Sequence, residues 1–145
     1  DLKKKHGIKF MMYTSASLLD VYFSEGVFEI PPLVLKKKYT KVLFANLIAF
    51  EQHHSDLIQY FTSYALLMKS FLHCNKDAKL FTHLRIVVGD DEDEAKADLE
   101  KRAYSLFESL CKGVDLKRFY YAGVVGQVNK YKKKRKSWKQ TMKCG

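Results

Sequence analysis

The sequence has only two prolines, and they are adjacent, Pro31-Pro32. Its three cysteines, Cys74, Cys111 and Cys144, are odd in number and widely spaced. That excludes a disulfide framework and a CxxC pair, and it reads as reduced thiols in a reducing compartment. No apolar run approaches the roughly 20 residues of a membrane-spanning helix, and no signal-like segment is visible. No internal repeat appears. Acidic side chains are absent from Lys130 to the end of the chain.

What remains describes a folded domain. The 145 residues are 47% apolar and include ten Phe and nine Tyr. That length is about one domain and buries roughly two-thirds of its unfolded surface. Such a composition excludes disorder of the whole chain. The net charge is +10, but the run 130–145 carries eight basic residues and no acidic ones. The rest of the chain is close to neutral. The chain opens at Asp1 inside a basic run, the pattern of a piece of a longer protein.

Taken in order, residues 8–12, 18–23 and 27–30 are strand candidates, the last two joined as a hairpin around Gly26. Pro31-Pro32 ends the third strand because proline cannot donate to a ladder. Lys36-Lys37-Lys38 reads as a solvated connection. Thr40 is the expected N-cap of a helix through Leu43-Phe-Ala-Asn-Leu-Ile-Ala-Phe-Glu-Gln52. That helix is apolar on nearly every side and is expected inside the domain. Leu43, Leu47 and Phe50 share one face, with Phe44 and Ile48 beside it, and Asn46 is read as a partly buried amide. Asp56-Leu-Ile-Gln59 has the form of a capping box for a helix over 57–72. Ile58, Phe61, Ala65, Met68 and Leu72 form one stripe of it, and Leu57, Tyr60, Tyr64, Leu67 and Phe71 a second. The expected core is thus Leu43, Phe44, Leu47, Ile48, Phe50, Phe61 and Met68.

A short helix over 78–84 leads into Ile86-Val-Val-Gly89. Asp90-Asp-Glu-Asp-Glu94 is placed in the first turns of the next helix, where carboxylates suit the positive end of the dipole. Leu99, Ala103, Leu106 and Leu110 are its buried stripe and Gly113 its stop. Asp115 is expected to cap a last helix with the stripe Tyr120, Val124, Val128, Tyr131, Trp138 and Met142. Gly123 and Gly126 weaken that helix or allow a close crossing. The fold class is α+β, mainly α-helical. Four to five helices pack around a central buried helix, with a small N-terminal β-hairpin.

Catalytic and metal chemistry find little support. His53, His54, His73, Cys74 and His83 match no zinc spacing. The run Asp90 to Glu94 lacks the alternating ligands and central glycine of a calcium loop. No nucleophile elbow, P-loop or dinucleotide motif occurs, and Cys111 has no indicated base. Gly123-Val-Val-Gly126 shares only its glycines with the loop of KH RNA-binding domains. The expectation is no enzyme, no cofactor and no metal. The strongest local signal is the run of Lys130, Lys132, Lys133, Lys134, Arg135, Lys136, Trp138 and Lys139. Cations interleaved with Tyr and Trp suit phosphates and bases, anionic lipid headgroups, a nuclear localisation signal, or simply a solvated helix end.

Five motifs occur in the order found in one family. They are Gly26-Val-Phe-Glu-Ile-Pro-Pro-Leu33, Leu43 to Gln52 as written above, Thr62-Ser-Tyr-Ala-Leu-Leu-Met68, Gly89-Asp-Asp-Glu-Asp-Glu-Ala95, and Val128-Asn-Lys-Tyr131 with Trp138. On them the chain resembles the plant-specific domain of unknown function 247 family over nearly its whole length. The resemblance implies a chain that is the C-terminal part of a longer protein. It implies a single transmembrane anchor shortly after the region of Trp138, so that 130–145 is juxtamembrane. The positive-inside rule then favours a domain on the cytoplasmic side, with the plasma membrane the favoured site. Some grass members look like self-incompatibility determinants, which implies recognition or signalling through an unknown protein partner. The family supplies no catalytic residue. The expectation is a membrane-associated recognition component that meets an anionic membrane surface. Nucleic-acid binding through the basic helix is the alternative. Exposed apolar helix faces could also drive a homo-oligomer.

Overall fold

The computed structural model describes residues 7–144, with side chains through Trp138. The N-terminal quarter is β-structure. Strand β1 is Lys9–Met12, β2 is Tyr22–Ser24 and β3 is Val27–Ile30. The expected hairpin is β2–β3, with Tyr22 opposite Glu29 and Phe23 opposite Phe28. Its two-residue turn, Glu25-Gly26, has φ of 50° and 83°, the doubly positive geometry that matches the twist of the flanking strands. β1 adds to the other edge of β3 in parallel, giving the order β1-β3-β2. Past Pro31-Pro32 the chain opens a second sheet. Here β4 (Leu33–Leu35) pairs in parallel with β5 (Val87–Gly89), Leu33 opposite Val87.

Three helices separate β4 from β5: α1 (Thr40–His53), α2 (Tyr60–Phe71) and α3 (Asn75–His83). Two follow: α4 (Lys96–Leu110) and α5 (Ala122–Cys144). The inner face of the first sheet meets α2 and α3 through aromatic rings. Phe28 lies 4.8 Å from Phe71 between centroids, and Phe10 lies 5.2 Å from Phe81. Both pairs are edge-on, a favoured ring geometry. A second aromatic chain, Phe44–Tyr64–Phe107, joins α1, α2 and α4. The fold is α+β and mainly helical, as the residue pattern predicts.

The helix at the centre is α2, not α1. In α2 Thr62, Ser63, Tyr64, Ala65, Leu67, Met68 and Phe71 are all buried. In α1 only Thr40, Phe44, Ile48 and Glu51 are. Leu43 is 55% exposed and Phe50 56%, so two expected core residues lie outside. Leu47 and Phe61 are half-buried, while Phe44, Ile48 and Met68 are buried. The physical reason is that α1 has packed helices on one side only, so one of its two adjacent apolar stripes is left over. Asn46 is exposed as well.

The expected caps also differ. Thr40 is the first residue of α1, and its Oγ1 accepts the Lys36 N–H at 2.8 Å, closing the turn after β4. Residues 54–59 are a connection, and α2 has no local side-chain cap. The carboxylates before α4 precede the helix, whose first turn holds only Asp98. Gly113 ends the α4 region at φ 67°. Gly123 and Gly126 have open space where a Cβ would stand, so no close helix crossing uses them.

Candidate functional site

The basic run lies on α5, and the segment before that helix fixes how it leaves the body. Tyr121 is 2% exposed, and its hydroxyl donates to the Leu19 carbonyl at 2.8 Å. Burial pushes that phenol up from its ordinary range. Tyr120 stands edge-on to Tyr60 at 4.8 Å, and its N–H donates to Ser63 Oγ at 3.0 Å. Just upstream, Asp115 is held by two glutamines. Gln52 Nε2 and Gln59 Nε2 donate to its carbonyl at 3.0 and 2.8 Å, and its N–H donates to Gln52 Oε1 at 2.8 Å. Asp115 is therefore part of a clasp on the α1–α2 corner, not the cap of α5. The capping-box Gln59 is spent on that clasp.

Along α5 the body-facing stripe is Val124, Val128 and Tyr131. Val128 is buried, and Tyr131 lies edge-on to Phe23 at 5.6 Å. Arg135 is next on this stripe, and its guanidinium lies over Gly7, where a Cβ would stand 2.7 Å from Cζ. Residues 133–138 are all exposed. From Tyr131 to the helix end at Cys144 the axis advances roughly 20 Å. Lys130, Lys133, Lys134 and Lys136 are exposed, and Lys132 is half-buried. Trp138, one of the residues expected to meet anionic groups, follows on the same stripe and is 70% exposed. The side chains of Lys139 and Met142 lie outside the described residues. The successive cations Lys132, Lys133, Lys134, Arg135 and Lys136 leave residues 132–136 with no apolar face. Among the described residues no helix is long and apolar enough to cross a membrane.

A second surface was not legible as such. Leu47, Phe50, Leu57, Ile58, Tyr60 and Phe61 line an open groove of about 420 Å³ at the α1–α2 corner. Periodicity assigned these residues to buried stripes, and no sequence signal distinguishes a stripe that is packed from one that is left open. The Phe50 and His54 rings meet beside it, centroids 4.2 Å apart and planes tilted by 33°.

Among the described residues no three His, Cys, Asp or Glu side chains gather as a metal site. Cys74 is exposed and Cys111 buried, both free, and burial raises the Cys111 thiol above its ordinary range. Cys144 lies outside the residues whose side chains are described. The basic helix and the open groove are two of the surfaces this arrangement offers.

A family model, DUF247, described as a plant protein of unknown function, matches residues 2–144. Comparison with curated proteins gives no significant match. Comparison with solved structures gives none either.

Proposed function

We propose, for a chain that belongs to the DUF247 family of plant proteins of unknown function, a recognition module that associates with an anionic membrane surface through α5. The carrying observation is the exposed basic end of that helix, with Lys130, Lys133, Lys134 and Lys136 exposed and Trp138 beyond them. Cations spread around a helix suit headgroups better than insertion, since an inserting helix needs an apolar face. Each basic residue near an anionic surface adds about 1 kcal/mol. A lone exposed Trp suits the headgroup level. The open groove at the α1–α2 corner supports an apolar contact with a protein partner. On this reading the helix places the domain at the cytoplasmic face of the plasma membrane and the groove does the recognising.

The test is co-sedimentation of the whole chain with phosphatidylserine vesicles at low and high salt, with duplex DNA as competitor. Binding should fall with salt. It should drop roughly a hundredfold or more when Lys130, Lys133, Lys134 and Lys136 are all changed to Ser. Tight DNA binding with little vesicle binding would overturn the reading in favour of a nucleic-acid partner.

A further inference from the structure

A different concavity, of about 180 Å³, lies between the β4–α1 connection and α4. Its polar lining is Lys36, Lys37, Thr40, Lys41, Arg102 and Ser105, and Leu35 and Leu106 supply an apolar wall. It shares no residue with α5 or with the apolar groove. Four cations in one small space repel one another unless something anionic is among them. Two are already answered. Lys37 Nζ contacts Asp91 Oδ2 at 2.7 Å. Arg102 meets Glu94 two-handed, Nε to Oε2 at 2.8 Å and Nη2 to Oε1 at 2.9 Å. Nη2 also donates to the Leu35 carbonyl at 3.1 Å.

These contacts hold the guanidinium rigidly and leave its Nη1 without a protein acceptor among the described residues. Lys36 and Lys41 pair with no carboxylate among the described residues. Ser105 Oγ likewise has no protein partner there. The concavity therefore holds two uncompensated positive charges, a fixed guanidinium edge and a free hydroxyl. α1 also begins at its wall, at Thr40, with no side-chain cap, which adds the positive end of a helix to the same side.

We propose that this pocket binds a phosphate monoester dianion. Two unpaired ammonium groups match its charge. Donors converging from β4–α1 and from α4 suit oxygens arranged as a tetrahedron, with Arg102 as the oriented donor and the lysines as point charges. The phosphate can come from a soluble ester or from a lipid headgroup.

An amide NMR titration of the whole chain separates these sources. Inorganic phosphate, glycerol phosphate and inositol trisphosphate are added in turn at constant ionic strength. Saturable shifts should centre on Thr40, Lys41 and Ser105. The variant K36S/K41S removes two exposed, unpaired lysines, so its unfolding midpoint should not move. Its affinity should fall about tenfold or more. The α5 variant K133S/K134S/K136S should bind as the parent chain does. Saturation by all three ligands supports a soluble ester, and saturation by inositol trisphosphate alone supports a headgroup. Shifts that never saturate, or that vanish in the α5 variant and persist in K36S/K41S, would overturn the site.

Discussion

The Glu51 carboxylate, near the end of α1, caps α2 through Thr62. Its Oε1 accepts the Thr62 N–H at 2.8 Å and the Thr62 hydroxyl at 2.7 Å, while Oε2 accepts the Phe61 N–H at 2.9 Å. The first amides of a helix have no partner within it. In α2 no local side chain serves them, and Glu51 is 6% exposed. Glu51→Ala strands two amides and a hydroxyl in a dry place and should cost about 3 kcal/mol. Thr62→Val should cost about 1 kcal/mol. Urea unfolding of both and of the double variant is the check. The two changes should fall short of adding, because they remove one shared contact.

Capping rules are local, and this cap is not. That is why Asp56-Leu-Ile-Gln59 looked like the start of α2 although Gln59 points its amide at Asp115. The same limit hid β4 and β5. Each is three residues long, and the partner of Leu33 is Val87, far along the chain with three helices between. The β2–β3 hairpin was legible because Gly26 sits in its two-residue turn. The helices were legible from their period, but period does not say which stripe has a neighbour. In the basic run the charges were visible at once. That Arg135 is turned to Gly7 while Lys133 faces outward depends on the body beside it.

The leftover stripe of α1 gives a direct contrast. Leu43→Ser and Phe50→Ser change residues more than half exposed and should shift stability by less than about 0.5 kcal/mol each. Phe44→Ala, one position from Leu43, empties the contact with Tyr64 and Phe61 and should cost about 3 to 5 kcal/mol. Thermal unfolding of the three variants separates the stripes. A large loss at Leu43 would mean that it is covered in solution, which concentration-dependent sedimentation would attribute to self-association or not.

Tyr64 carries a hydroxyl with no protein partner among the described residues, at 0% exposure. An unbonded buried hydroxyl opposes folding. Tyr64→Phe should therefore leave stability unchanged or raise it by up to about 1 kcal/mol. Burial, and to a lesser degree neighbouring Tyr121, holds this phenol protonated well above its ordinary range. In the unfolded chain it ionises near pH 10. A group raised on folding contributes stability that is complete below the unfolded value and is lost as pH climbs toward the folded one. Stability of the parent chain should therefore decline above about pH 10, and less steeply in Tyr64→Phe. Denaturant midpoints measured on both sides of that pH decide it.

Gly26 ties the hairpin to the root of the basic helix. Its φ of +83° favours glycine, and a Cβ there would stand 2.5 Å from Tyr131 Oη and 2.7 Å from Cζ. Gly26→Ala therefore meets two penalties, a backbone one of about 1 kcal/mol and a steric one against Tyr131. Together they should cost about 2 to 4 kcal/mol. Tyr131→Ala alone loses the ring contact with Phe23 and should cost about 2 kcal/mol. Once the ring is gone the new methyl has room, so the double variant should be more stable than the sum of the two losses by about 1 kcal/mol or more. The consequence for α5 is local. Val128, Tyr131 and Arg135 attach it to the body, so Gly26→Ala should speed amide exchange over residues 124–135 while the exchange of α2 stays near that of the parent chain. Strict additivity, with unchanged exchange on α5, would mean that Tyr131 does not cover the turn and that the helix is held by Val128 and Arg135 alone.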